Sequence, residues 1–188
     1  MQKILRAGLL LGCAAFSFHT AVCVAAPTTY NYTGNDFNSV SFPYTTSDSV
    51  TGSITLSGPL ANNITVFNAI TPLSFSFSDG VSGETVTNTT PAVGSSFSFK
   101  TDGSGNITQW QALVDITSVF NFSISTFNAP GGSGVIDSAQ HSGGTESGQI
   151  TNSPGTWSVQ PAPEPGTCTL MFAGLAVLAV AARRRKMV

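Results

Sequence analysis

The 188-residue chain carries a formal net charge of −2, only 9% charged residues, 19 glycines and three cysteines. Its cations gather at the two ends: between Ala26 and Gln160 Lys100 alone faces eight carboxylates, and one minus eight leaves that stretch at −7. Such a balance excludes nucleic acid as a partner and disfavours anionic lipid headgroups. Cys13, Cys23 and Cys168 all lie outside the stretch, so disulfides, a thiol nucleophile and a cysteine-ligated metal are excluded too.

In chain order, Lys3 and Arg6 precede an apolar core from Ala7 to Phe18, and small residues lead to Ala25-Ala26-Pro27. This is the layout of a secretory signal peptide over residues 1–25, a substrate for signal peptidase. Cleavage between Ala25 and Ala26 puts Cys23 and Ala25 at the small-residue subsites, whereas a cut after Ala26 meets Pro27. A lipoprotein reading of Leu10-Leu11-Gly12-Cys13 fits poorly, with a second Leu before the Gly and a very early Cys.

Residues 26–160 read as one extracellular all-β domain, an antiparallel β-sandwich with two sheets of three to five strands. Period-two alternation marks the strands. Half-patterns at Tyr30–Tyr32 and Val50–Leu56 come first, then Phe75 and Phe77, and Phe97 and Phe99, each between serines. Trp110, Ala112, Val114 and Ile116 follow, and then Phe120, Phe122 and Ile124. Asp79-Gly80 and Asp102-Gly103-Ser104-Gly105-Asn106 supply hairpin turns, since these residues tolerate positive φ. From Pro130 to Pro154 the apolar pattern loosens into glycines and serines, which predicts a long loop or irregular edge before a last short strand at Thr156–Val159. The resemblance between the Phe75–Phe77 and Phe97–Phe99 segments is strand–turn convergence, since one imperfect pair does not make a solenoid.

The tail has three parts. Residues 161–165 form a Pro-rich linker ending in Pro163-Glu164-Pro165. The apolar run Gly166–Ala182 has 17 residues, enough at ~1.5 Å per residue to cross a thin hydrocarbon core as a transmembrane helix. Residues 183–188 hold Arg183, Arg184, Arg185 and Lys186, a basic stop that stays cytoplasmic and leaves everything before Pro163 facing outward. An ordinary membrane anchor would give the same topology.

Motif, apolar run and basic cluster together resemble the bacterial PEP-CTERM sorting signal, with Cys168 and Thr169 slightly more polar than usual at the start of the span. The resemblance implies recognition by a membrane-embedded exosortase, a cysteine transpeptidase that cuts near Pro-Glu-Pro. It also implies an inner-membrane anchor before processing, and a place on the cell surface or in an extracellular polysaccharide matrix afterwards. Tyr32-Thr33-Gly34-Asn35-Asp36-Phe37, the Tyr44–Gly52 segment, Ser76-Phe77-Ser78-Asp79-Gly80 and Asn106-Ile107-Thr108-Gln109-Trp110 also resemble the body of a recurrent group of exported β-domain proteins with this tail. That likeness spans residues 28 to 125; it implies a shared β fold and adds nothing about chemistry.

Several constellations carry side chains capable of chemistry. Asp102–Asn106 alternates oxygen ligands as a calcium loop does, yet Ile107 stands where such a loop needs Gly and Leu113 where it needs Glu. A hairpin turn explains it more simply; a fold-level calcium site joining Asp36 and Asp48 stays open. Asp137 and His141 superficially suggest a hydrolase, but no Gly-x-Ser-x-Gly elbow accompanies them, and solvated loop polarity is the better account. Eight scattered acids define no glycosidase pair. Tyr30, Tyr32, Tyr44, Trp110 and Trp157 are candidates for stacking on sugars, although Trp110 falls in register with Ala112 and Val114 and reads as core. Asn31, Asn63, Asn88, Asn106 and Asn121 begin Asn-x-Ser/Thr sequons expected by chance at this composition.

Two functions follow. The first is a non-enzymatic exported surface or matrix protein that needs no cofactor. The second is a small carbohydrate-binding module, calcium-assisted or not, that recognises extracellular polysaccharide.

Overall fold

A computed structural model describes residues 26–81, 85–91, 93–116, 122–131, 134–141 and 145–160, together with Gly174. The signal peptide, the sorting motif, the apolar run and the basic tail therefore lie outside the described residues, as do Phe120 and Asn121.

The alternating segments become strands at the expected places. β1 spans Thr28–Thr33, β3 Thr51–Leu56, β5 Ser74–Ser78, β7 Val93–Thr101, β8 Ile107–Ile116, β9 Phe122–Ala129 and β12 Thr156–Gln160. Shorter pieces add β2 at Ser39–Val40, β4 at Asn68–Ile70 and β6 at Thr85–Thr87. β1, β3, β5, β6 and β12 form a five-stranded sheet in the order β12-β1-β3-β5-β6, with every pairing antiparallel. The Asp102–Asn106 turn joins β7 to β8, and Gly105 takes φ 83° within it, a conformation that glycine adopts without a Cβ penalty.

Two expectations are overturned. The stretch from Pro130 to Pro154 is not a loop: it contains β10, Gly134–His141, and β11, Glu146–Thr151. With them the second sheet has seven strands, in the order β2-β11-β10-β9-β8-β7-β4, more than the expected three to five. The hidden alternation has a physical cause. The inward row of β10 is Asp137, Ala139 and His141, and β11 turns Gly148 and Ile150 inward. Gly148 leaves room for loop aromatics, since a Cβ there would run into the Phe37 ring and lie 3.0 Å from Tyr44 Cδ1. The core at this end is filled by a loop over a strand of small residues, so the strand shows no apolar period.

The sheets pack face to face. Phe75 and Phe77 of the five-stranded sheet meet Phe97 of the other at ring-centroid distances of 5.3 and 5.9 Å. Trp157 of β12 lies across both layers, 5.0 Å from Tyr32, 6.4 Å from Phe77 and 5.3 Å from Phe99. Val50, Ile54, Phe99, Val114 and Ile124 are almost completely shielded.

Trp157 holds the last strand on the core, so Trp157→Ala should destabilise the domain by about 3–5 kcal/mol, the range for large aromatic truncations. A urea titration followed by Trp110 fluorescence reads this as a lower midpoint. A shift equivalent to under ~1 kcal/mol would show that β12 is not anchored in this way.

Candidate functional site

The inward row of β10 carries the domain's buried polar chemistry. Asp137 is fully buried, and its carboxylate accepts the Tyr32 hydroxyl at 2.6 Å on Oδ1 and 2.8 Å on Oδ2. Tyr32 sits on β1 and Asp137 on β10, so the contact joins the two sheets. The Tyr32 oxygen in turn accepts the Gly155 N–H at 2.9 Å. A Cβ on Gly155 would collide with the Thr33 carbonyl and lie 2.6 Å from the Tyr32 oxygen, so glycine is required by space. Beside this pair, Trp110 Nε1 donates to Thr126 Oγ1 at 2.8 Å, and Thr126 is itself fully buried. Burial raises the Asp137 carboxyl above its ordinary range, against hydrogen bonds from Tyr32, Thr126 and Gly155 that favour the charged form. Burial and the neighbouring Asp137 charge push the Tyr32 hydroxyl far above the usual phenol range.

Four residues along β10 the same design recurs. His141 Nε2 lies 2.9 Å from Asp79 Oδ2, and the Tyr44 hydroxyl donates to that oxygen at 2.7 Å. Asp79 Oδ1 accepts the Val81 N–H at 3.0 Å. The His141 ring also stands edge-on to Phe122, with centroids 4.4 Å apart. Asp79 is fully buried and His141 is 15% exposed, so this cluster belongs to the interior. Solvated loop polarity is therefore the wrong account of Asp137 and His141. They do not meet each other; each reaches across the sandwich to a tyrosine–carboxylate contact. Their four-residue spacing is the strand's own period two, a signal hidden once the segment is read as loop.

The other sequence candidates separate. Tyr30, Tyr32, Tyr44 and Trp110 are all buried, so none offers a ring to a sugar. Tyr30 instead accepts the Leu60 N–H at 2.8 Å, and Trp157 is half-buried against the core. Asp102 Oδ1 accepts the Ser104 and Asn106 N–H groups at 2.8 and 2.9 Å, and Oδ2 accepts the Asn106 side-chain amide at 3.0 Å. Those bonds, the Asn106 side chain's first, hold the Asp102 carboxyl below its usual range. The loop's oxygens thus serve its own turn. Asp48 Oδ2 binds the Thr45 N–H at 2.7 Å, again locally, while Asp36 is exposed. Among the described residues no three His, Cys, Asp or Glu side chains converge as metal ligands. Ala26 lies two residues before β1, whereas Ala25, Pro163, Glu164, Pro165, Arg183, Arg184, Arg185 and Lys186 lie outside the described residues.

Residues 161–186 match the family model of the PEP-CTERM protein-sorting motif. The tail is thus a sorting signal of that type, which marks an exported protein and implies processing by exosortase-type machinery. Searches of curated proteins and of solved structures returned no match.

Tyr32→Phe removes both hydroxyl contacts and leaves Asp137 and the Gly155 N–H without that partner. The expected loss is about 1.5–3 kcal/mol, read as a lower urea midpoint at unchanged slope. The pH dependence has a definite sign. With its folded-state pKa raised, Asp137 binds more protons in the folded than in the unfolded chain, so its contribution to stability falls as pH rises from about 4 upward. Asp137→Asn should flatten that part of the stability–pH profile; an unchanged slope would mean the carboxyl is not the titrating group.

Proposed function

We propose that this chain is a non-enzymatic exported protein, delivered by its tail to an exosortase-type transpeptidase, cut near Pro163-Glu164-Pro165 and left at the cell surface or in the extracellular matrix. The observation that carries the proposal is the sorting-motif match at residues 161–186 immediately behind a finished domain. β12 ends at Gln160, three residues before Pro163. Three extended residues reach at most ~11 Å, so a cut at the motif would fall just outside the sheet and remove no strand. The start of the domain is equally tight, because the Ala25–Ala26 junction lies close to Thr28, where β1 begins.

The non-enzymatic part of this proposal is supported by where the reactive groups go. His141, the only histidine between Ala26 and Gln160, contacts a fully buried carboxylate, and Asp137 is closed off by Tyr32. A second reading, in which the domain recognises extracellular polysaccharide, is favoured by one observation: the outer face of the five-stranded sheet bears only hydroxyl and amide side chains among its described residues.

Processing is tested with Glu164→Ala. Wild-type protein should appear in the outer or extracellular fraction with a C-terminus near the motif by intact-mass measurement. The variant should stay in the inner membrane with residues 166–188 attached. An identical terminus and location for both would remove the sorting reading.

A further inference from the structure

The buried face of the five-stranded sheet is set by Tyr30, Tyr32, Ile54, Phe75, Phe77 and Val86. Alternation therefore sends their neighbours outward. One row of directly paired outward residues runs Ser158, Asn31, Ser53, Ser76, Thr87 across all five strands. The adjacent rows, from Thr156 to Thr85 and from Gln160 to Ser74, are likewise hydroxyl or amide at every described position. Asn31, Ser53 and Ser76 make no side-chain hydrogen bond among the described residues, and they line a shallow hollow of about 400 Å³. Each free hydroxyl offers one donor and two acceptor positions, and each amide offers both kinds of group.

A Ser/Thr-rich composition alone does not account for this face, because the other sheet is different. The outer side of the seven-stranded sheet carries Lys100, Asp115, Leu113 and Phe127 among its serines and glutamines. Among the described strand residues, outward-facing charge and apolar bulk lie on the seven-stranded sheet, while the outward positions of the five-stranded sheet form an uncharged lattice of hydrogen-bonding groups at the ~4.8 Å strand spacing.

From this asymmetry we infer that the outer face of the five-stranded sheet is a binding surface for a neutral polysaccharide, contacted through its hydroxyls. The inference deepens the second reading above and requires export of the domain, but not cleavage of its tail. Charge selects the partner. A face without cations at its described positions offers a polyanion no ion pair, and the −7 balance of residues 26–160 repels one. An uncharged polyol meets no such penalty and matches the face donor for acceptor. Energetics select a polymer over a single sugar. Neutral hydrogen bonds contribute only ~0.5–1.5 kcal/mol each net of water, so useful affinity needs many contacts along one chain.

The test is affinity electrophoresis of the detergent-solubilised full chain in native gels containing hydroxyethyl cellulose, galactomannan, dextran or alginate. Retardation by at least one of the three neutral polymers, without retardation by alginate, is the expected result. The double variant Ser53→Asp/Ser76→Asp should weaken it about tenfold or more, a loss near 1.4 kcal/mol. Ser98→Asp/Ser125→Asp, which adds the same charge to the outer face of the other sheet, should stay within about twofold of wild type. Thermal midpoints of both variants establish that the fold is kept. The inference is overturned if no neutral polymer retards the chain, if alginate does so equally, if both double variants lose binding alike, or if the face only mediates self-association on sedimentation. Because binding is measured on unprocessed chain, these results are independent of the Glu164→Ala outcome.

Discussion

A fully buried carboxylate joins the two sheets, and the surrounding structure is arranged to accommodate it. Removing Asp137 from water costs several kcal/mol unless donors replace the lost hydration. Tyr32 provides a hydroxyl to both oxygens. Gly155 steadies that hydroxyl from the opposite side, and Trp110 fixes Thr126 next to it. These groups come from β1, β8, β9, β10 and the turn before β12. The network forms only when all five segments are in register. A slip of one residue in β10 would turn Asp137 out to water and leave Tyr32 facing the core alone. The cost of the buried charge thus becomes a constraint on topology. The Asp79–Tyr44–His141 cluster applies the same constraint at the other end of β10.

The same network ties the two ends of the domain together. β1 and β12 are neighbours, with Thr29 opposite Gln160, although almost the whole domain separates them in sequence. The five-stranded sheet lacks an edge, Tyr32 lacks its Gly155 donor and the core lacks Trp157 until the last residues before the linker are free to pair. The fold is complete only when this last strand before the sorting motif has paired with β1. Non-local closure of this kind is slow, because loop entropy must be overcome before the contacts form. The fit at the closing strand is also imperfect in one respect: among the described residues Trp157 Nε1 is buried without an acceptor. Its aromatic contacts with three rings offset that loss.

Where the inward row was apolar, the strands could be read from the sequence. Phe75 and Phe77, Phe97 and Phe99, and Trp110 with Ala112 and Val114 announce their face by alternation, and Asp102–Asn106 announces its turn. β10 and β11 could not be read in that way, because three of their five inward positions are Asp137, His141 and Gly148, residue types that signal loops in isolation, and they interrupt the row of Ala139 and Ile150. Tyr30, Tyr32 and Tyr44 were misread for a related reason. A tyrosine has an apolar body and a polar tip, and nothing in its own type tells whether the tip meets water or a buried partner. Residue parity would have placed Tyr30 and Tyr32 on one face; that the face was the inner one depended on Asp137 and Leu60, distant in sequence. The tail was legible throughout because its meaning lies in order and position along the chain.

Polar chemistry in this domain is divided between inside and outside. With no cysteine between Ala26 and Gln160, the sandwich has no covalent cross-link in a compartment that would permit one. Tyrosine–carboxylate contacts take that role, and doing so draws Asp79, Asp137 and His141 into the interior. These three side chains are therefore engaged in holding the sheets together. What is left on the five-stranded sheet is a surface of hydroxyls and amides, weak singly and repeated many times. The hydrogen-bonding capacity of that surface is spread over five strands, not gathered at one point, and its described strand positions carry no charge.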